Sequence, residues 1–186
     1  MSILLSALLI TSAPGEAPDT AVPIDVSTAR ASLGGKWAGT LEYLDYSAGE
    51  WFGIPVSTQI EDQGDKATTI RKSDFDDGPK VGMVRITSVE LFDPATSTVT
   101  VGTFRKGRAA EIVTSKLSIK NPSNSAENWV LIEQVLGKDN NRPALLRLTT
   151  TRAGDSLETL KEIDFQDDEK SEWITRNRTR LKRVGD

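Results

Sequence analysis

The sequence predicts an all-β fold, an antiparallel up-and-down meander of about ten strands closed into a barrel. Three observations support this prediction. From Lys36 onward apolar and polar residues alternate with a period of two, turn-forming residues interrupt the alternation about every eight to twelve residues, and sustained helical periodicity is absent. Consecutive strands on short turns pair with their neighbours, and a set of this size closes most economically into a barrel. A two-sheet β-sandwich is the alternative.

The first strand is predicted over 36–45, where Trp37, Gly39, Leu41 and Tyr43 share one face. Each later strand is bounded by a turn rich in Gly, Asp, Asn or Pro. These strands are predicted over 51–61, 66–73, 81–92, 97–104, 108–119, 129–136, 144–152, 157–165 and 172–184.

Residues 1–21 are predicted to be a secretion signal. Ile3 to Ile10 form an apolar run that is too short to span a membrane, and small residues and prolines follow it. No basic residue precedes the run, and prolines follow Ala13 and Ala17, so cleavage is expected near Ala21. The protein is then expected in the periplasm or outside the cell. A buried N-terminal strand is the alternative interpretation of this segment.

Residues 22–33 are predicted to be a tether or a short helix, and residues 34–186 a single barrel domain. The stretch 26–33 has room for one or two helical turns, and Ser27 is the expected N-cap because its hydroxyl can accept a hydrogen bond from a free backbone amide.

The composition excludes several classes of chemistry. The chain has 27 acidic and 23 basic residues, no cysteine and no histidine. Disulfides, thiolate nucleophiles, Ser–His–acid triads and metal sites built on cysteine or histidine are therefore excluded. Residues 1–21 hold Glu16 and Asp19 and no basic residue, so their removal changes the formal charge from −4 to −2. That balance gives no reason to expect nucleic-acid binding.

Gly35, Lys36 and Trp37 form a Gly-x-Trp motif at the head of the first strand. The motif resembles the opening motif of the lipocalins and of the wider calycin superfamily, which includes avidins and fatty-acid-binding proteins. The resemblance implies that Trp37 plugs the closed end of the barrel and that a late-strand arginine, Arg178 or Arg180, packs across it. One departure is that fatty-acid-binding proteins insert two helices after the first strand, where this chain has no room for them.

The last predicted strand carries Arg178 and Arg180 on one face and Asn177 and Thr179 on the other. Two orientations remain open. Turned outward, the arginines would form a ladder with the acidic face of the preceding strand, worth ~0–1 kcal/mol per pair. Turned inward, they would hold a carboxylate or phosphate, which is similar to the use of a last-strand arginine in fatty-acid-binding proteins. Arg147, flanked by leucines, is a further candidate of the same kind.

Four tryptophans, Trp37, Trp51, Trp129 and Trp173, each begin a predicted strand. Aromatic residues at strand starts favour plugs and rim packing over ligand stacking. Tyr43 and Trp129 are the aromatic residues that we expect to face a ligand, because each lies on the more apolar face of its strand.

The sequence therefore predicts a monomeric barrel that binds a small amphipathic or anionic hydrophobic ligand. No catalytic residue, metal, cofactor, nucleic acid or transmembrane span is expected. The alternatives are a small calycin-fold enzyme with Asp, Glu or Tyr as acid–base groups, such as Glu42, Asp45 and Tyr46, and a filled barrel that serves as an envelope structural or adaptor protein. The predicted ligand-binding residues are Trp37, Tyr43, Trp129, Arg147, Arg178 and Arg180.

Overall fold

Ten strands close into one antiparallel barrel in the computed structural model, which describes residues 22–120 and 123–185. Each strand pairs with its neighbours along the chain, and β1 completes the ring by pairing with β10. The predicted meander is confirmed, and the barrel excludes the sandwich alternative. The strands are β1 Gly35–Asp45, β2 Glu50–Asp62, β3 Thr68–Asp76, β4 Met83–Asp93, β5 Thr98–Arg105, β6 Glu111–Lys120, β7 Asn128–Asp139, β8 Arg142–Ala153, β9 Ser156–Phe165 and β10 Ile174–Val184.

One short helix, α1 (Val26–Ala31), precedes the barrel. Its N-cap is Asp25 rather than the expected Ser27, which lies inside the helix. Asp25 has an extended backbone immediately before the first helical residue, and its Oδ1 accepts a 2.7 Å hydrogen bond from the Thr28 amide. Ala29 is fully buried, so the helix packs on the barrel. The predicted secretion signal lies outside the described residues.

The alternation of side chains assigns each strand an inner and an outer face. On β1, Trp37, Gly39 and Leu41 face the lumen, since Trp37 is buried in the core and pairs with Thr58, a residue of the central cavity. Thr40 and the other residues between them face outward. The predicted sharing of one face by Trp37, Gly39 and Leu41 is therefore confirmed.

Gly39 allows β1 and β10 to approach closely. A Cβ atom built on Gly39 would lie 1.9 Å from the backbone carbonyl oxygen of Arg180. Only glycine leaves room for that oxygen, so the residue type is required where the barrel closes.

The hydrophobic core lies at the end of the barrel that α1 covers. Its buried members come from the helix segment and from the inner faces of most strands. They are Ala29, Leu33, Trp37, Val56, Ile60, Phe92, Val99, Leu117, Trp129, Leu131, Leu157 and Leu181. Among the described residues, no helix is long and apolar enough to cross a membrane. The closed up-and-down barrel is consistent with a calycin-like fold.

Candidate functional site

The lumen contains a cavity of about 300 Å³. Volumes of this order are the lower end of the range for small-molecule binding sites. Most of the wall is apolar and comes from the inward-facing positions of the strands and from the segment after α1. The apolar lining residues are Leu33, Val56, Phe75, Val101, Leu117, Leu131, Leu148, Leu157 and Leu181.

Hydroxyl groups form part of the same wall. Thr58 Oγ1 and Ser73 Oγ lie 2.9 Å apart across β2 and β3, and Thr150 Oγ1 and Thr159 Oγ1 lie 3.1 Å apart across β8 and β9. Thr179 of β10 also lines the cavity. Because the hydroxyls of each pair hydrogen-bond to each other, the two pairs can remain buried without a ligand.

A charged cluster of Arg30, Arg71 and Glu90 faces the cavity from α1, β3 and β4. Glu90 binds both arginines, with Arg30 Nη1 3.2 Å from Oε2 and Arg71 Nε 3.1 Å from Oε1. Arg30 Nη2 also donates to Thr69 Oγ1 at 3.3 Å. Burial alone would raise the pKa of Glu90, but the two guanidinium groups hold this pKa below its ordinary value. Glu90 is therefore an ionised carboxylate inside the barrel.

Glu133 of β7 places a second carboxyl group in the cavity wall. Its Oε1 accepts a 2.5 Å hydrogen bond from Ser115 Oγ on β6. Burial raises the pKa of Glu133, and this effect exceeds the lowering by the hydrogen bond from Ser115. The negative charge of Glu90 adds a smaller rise, and the two arginines oppose it. The lumen thus holds two carboxyls whose environments shift their pKa values in opposite directions.

Trp37 and Arg183 close the barrel beneath α1. The guanidinium carbon of Arg183 lies 4.5 Å from the centroid of the Trp37 ring, and Trp37 Nε1 donates to the Leu33 carbonyl at 2.8 Å. Arg183 Nη1 donates to the Gly34 carbonyl at 2.8 Å. The expectation that Arg178 or Arg180 packs across Trp37 is wrong, because these two residues lie on the opposite face of β10 from Arg183.

Trp129 and Arg152 join this closed end from β7 and β8. Trp129 Nε1 donates to the Ala126 carbonyl at 2.9 Å, and Arg152 Nη1 donates to the Ser32 carbonyl at 2.5 Å. Both residues are buried. They fix the segment after α1, and neither lines the cavity.

Arg178 and Arg180 lie on the outside of the barrel, because they alternate with the cavity-lining residues Thr179 and Leu181. Arg178 Nε donates to Glu42 Oε2 at 2.6 Å, and Arg180 Nη2 donates to Glu42 Oε1 at 2.5 Å. Burial would raise the pKa of Glu42, but these hydrogen bonds lower it to about 2. Of the two orientations, the outward one is observed, and the carboxylate partner lies on β1 rather than on β9.

Arg147 also lies on the outside, since its neighbour Leu148 lines the cavity. Its Nη2 is 2.8 Å from Glu162 Oε2, and its guanidinium carbon is 3.7 Å from the centroid of the Trp173 ring. The three predicted arginines are therefore not brought together in the lumen.

Tyr43 lies on the inner face of β1 near the end of the barrel opposite α1. Its ring stacks on Phe52 with a centroid distance of 5.5 Å, and both side chains are exposed. Burial raises the pKa of Tyr43. Tyr43 does not line the central cavity.

The acid–base candidates of the first hairpin do not converge on the cavity. Glu42 faces outward, and Asp45 Oδ1 accepts a 2.8 Å hydrogen bond from the Ser47 amide within the turn. Tyr46 donates its hydroxyl hydrogen to the Thr175 carbonyl. These contacts give all three residues structural roles.

The charged residues of the lumen, Arg30, Arg71, Glu90 and Glu133, are absent from the sequence-based predictions. Glu90 stands between Val89 and Leu91, and the apolar neighbours suggest the opposite assignment of faces. In the structure both neighbours are exposed, and Glu90 shares the inner face with Phe92. One feature of the sequence could have placed Glu90 inside the barrel: it alternates with Ser88 and Phe92, which share its face of the strand.

The part of the chain that the structure describes contains no group of three or more acidic residues arranged to hold a metal ion. No family model matches the chain, and no curated protein matches it. The geometry of the lumen is therefore the basis for assigning a function.

Proposed function

We propose that the protein binds a small amphipathic ligand in the lumen of its barrel. The observation that carries this proposal is the cavity of about 300 Å³, which has apolar walls and one cluster of charged side chains. Since a water molecule occupies about 30 Å³ of liquid, and a methylene group is of similar size, the cavity has room for about ten non-hydrogen atoms. Octanoate and 1-octanol are ligands of this size.

The arrangement favours a carrier over a filled structural barrel. A structural barrel would fill its lumen with side chains, whereas a carrier needs an apolar cavity and a polar group that orients the ligand. The stacking of Arg183 on Trp37 supports a further proposal, that the chain belongs to the calycin superfamily, where a first-strand tryptophan closes the barrel under a late-strand arginine.

Binding can be tested by calorimetry and thermal melts with octanoate and 1-octanol. A bound ligand raises the melting temperature through mass action, by an amount that grows with its concentration. Thr150→Phe fills the lumen and should weaken binding of both compounds by roughly tenfold or more, a change of about 1.4 kcal/mol. Thr149→Phe is the matched control, because the adjacent side chain points outward, and it should leave binding unchanged.

Two results would contradict a lumenal ligand site. One is a folded wild-type protein that neither compound stabilises. The other is an equal effect of Thr149→Phe and Thr150→Phe on affinity.

One observation favours a small enzyme as the second candidate. Glu133 is a buried carboxyl with a raised pKa in a cavity, which is the environment of many general acids. Ser115 donates a hydrogen bond to it, and Arg71 is a second polar residue of the cavity wall. Hydrolysis of a chromogenic octanoyl ester that is lost in Glu133→Gln and retained in Glu162→Gln, an outward-facing control, would favour this candidate.

We also propose that the protein is exported after removal of residues 1–21. The apolar run followed by small residues supports this, and cleavage near Ala21 would leave α1 intact as the cover of the barrel. Mass spectrometry of the protein from its native host should show a mature start between Ala13 and Ala29, with Val22 expected for cleavage after Ala21. Recovery of intact Met1 from the cytoplasm would contradict export.

A further inference from the structure

Arg71 lines the cavity, and among the described residues its guanidinium has unused hydrogen-bond donors. Its Nε is bound to Glu90 Oε1 at 3.1 Å. Its Nη1 and Nη2 have no hydrogen-bond partner among the described residues, and neither atom is sealed from solvent. Arg71 lines the cavity, and 29% of its side chain is accessible. Two parallel donors of this kind match the two oxygens of a carboxylate.

The charges in the lumen favour an anionic ligand. Arg30 and Arg71 are two cations, and the ionised Glu90 balances only one of them. If Glu133 carries its proton, the cluster has one excess positive charge. An unbalanced buried charge costs several kcal/mol, and a bound anion removes this cost.

If Glu133 is ionised instead, the cluster is already neutral. A bound anion would then leave one excess negative charge, which is unfavourable in a site of low dielectric. Binding of an anion and protonation of Glu133 therefore favour each other.

The surroundings of Glu133 are consistent with this coupling. Its neighbours in the sheet, Leu117 on β6 and Leu148 on β8, carry no charge. The charged groups that act on it across the lumen are Glu90 of β4, Arg30 of α1 and Arg71 of β3. Ser115 of β6 is its hydrogen-bond donor. An anion bound to Arg71 would offset the positive charge of this residue and would therefore raise the pKa of Glu133 further.

We propose that the ligand of the lumen carries a single carboxylate, that the Nη1 and Nη2 atoms of Arg71 hold it, and that Glu133 takes up one proton from solvent when it binds. This inference rests on the proposed function, and it specifies the head group and the pH dependence of the same site. The anchor lies on β3 and the group that takes up the proton on β7, both away from the last strand. Because the pKa of Glu133 is raised, affinity for the ionised carboxylate is retained below that pKa, as far down as the ligand stays ionised, and is lost as pH rises through it.

The test is calorimetry of the full chain with octanoate, 1-octanol and octylamine over a pH series from about 5.5 to about 9, where the ligand carboxylate is mostly ionised. In the wild type we expect octanoate to bind roughly tenfold more tightly than 1-octanol at pH values below the pKa of Glu133, as a charge-assisted bidentate pair would provide. We expect octylamine to bind more weakly than either. The affinity for octanoate should fall by up to about tenfold per pH unit above the pKa of Glu133, whereas the affinity for 1-octanol stays constant.

Three variants separate the roles of the residues. Arg71→Gln should reduce the octanoate affinity by roughly tenfold more than it reduces the 1-octanol affinity. Glu133→Gln should bind octanoate with an affinity that no longer depends on pH. Arg147→Gln is the matched control, because Arg147 pairs with a glutamate and has a similar accessible fraction, 26%, but faces outward. It should change neither affinity.

The outcomes distinguish the two proposals. If neither octanoate nor 1-octanol binds, the proposed function fails, and this inference fails with it. If 1-octanol binds as tightly as octanoate, the function stands and the carboxylate inference is wrong. If Arg71→Gln does not fold, proton uptake by the wild type decides, measured as the dependence of the binding enthalpy on the ionisation enthalpy of the buffer. Absence of proton uptake above the pKa of Glu133 would overturn the role of Glu133.

Discussion

Arg183 lies over the ring of Trp37, with its guanidinium carbon 4.5 Å from the ring centroid, so the last strand covers the tryptophan that begins the first strand. Trp37 is 1% exposed. A cation over the face of a buried indole is stabilising, and the pair also fills the end of the barrel.

Replacement of Trp37 should therefore destabilise the protein strongly. We expect Trp37→Ala to reduce the free energy of unfolding by about 3–5 kcal/mol, the usual cost of truncating a large core aromatic residue. Urea denaturation with fluorescence or circular dichroism measures this. The control is Phe52→Ala, an exposed aromatic residue whose loss should cost about 1 kcal/mol or less. Equal effects of the two substitutions would contradict the plug role of Trp37.

Alternation and turn residues were sufficient to predict the ten strands, because both depend on local sequence. Each predicted strand overlaps an observed one, and the ends differ by a few residues. Closure of the barrel was inferred from the number of strands and their short turns, and the structure confirms it. The resemblance carried by Gly35 and Trp37 implied that Trp37 plugs the barrel, and the structure buries its side chain.

The contents of the lumen could not be predicted, because alternation separates the two faces of a strand without indicating which one is inside. On β10, Arg183 shares the inner face with Leu181, whereas Arg178 and Arg180 share the outer one. On β4 the apolar residues Val89 and Leu91 are exposed, whereas the charged Glu90 is on the inner face. The choice depends on partners across the barrel, and those are distant in sequence.

A methyl group at Gly39 should separate β1 from β10. The Cβ of Gly39→Ala would lie 1.9 Å from the backbone carbonyl oxygen of Arg180. This oxygen belongs to the backbone of β10, so it cannot move aside by a change of rotamer. We expect a loss of about 3 kcal/mol or more in the free energy of unfolding. Gly102→Ala is the control, since its nearest neighbour, a Phe104 ring atom, lies at 3.5 Å. A melting temperature of Gly39→Ala equal to that of Gly102→Ala would contradict the close approach.

Acid should weaken the ion pairs that Glu42 forms with Arg178 and Arg180 on the outside of the barrel. The pKa of Glu42 is about 2 in the folded protein and 4.5 ordinarily. A lowered pKa stabilises the folded state fully above pH 4.5, and this contribution is lost as pH falls from 4.5 to about 2. Since Arg180 is 52% exposed, solvent screens the pair, and we expect Glu42→Gln to cost only about 1.5 kcal/mol at neutral pH.

Denaturation of wild type and Glu42→Gln across that pH range measures the effect. Other carboxylates of the chain titrate in the same range, so the difference between the two proteins is the relevant quantity. This difference should shrink as pH falls from 4.5 to about 2, and a constant difference would be inconsistent with the lowered pKa.

Removal of the carboxylate at Glu90 should leave the positive charges of Arg30 and Arg71 in the lumen without their ion-pair partner. We expect Glu90→Gln to cost about 3–5 kcal/mol, as for other buried ion pairs that lose one member. Replacement of the whole cluster, in the triple variant Arg30→Met, Arg71→Leu and Glu90→Leu, should cost much less, because no charge is left unpaired. Urea denaturation compares the two proteins. A triple variant that is less stable than Glu90→Gln would contradict this account of the cluster.

Lys36 of β1 pairs with Val184 of β10, so the barrel closes by joining the first and last strands of the chain. Contacts between residues so distant in sequence form slowly, because a long loop must close first. Until β10 is synthesised and docks, the nascent sheet has two unpaired edges that other chains can extend. The interval before this last strand docks is therefore when aggregation competes most strongly with folding.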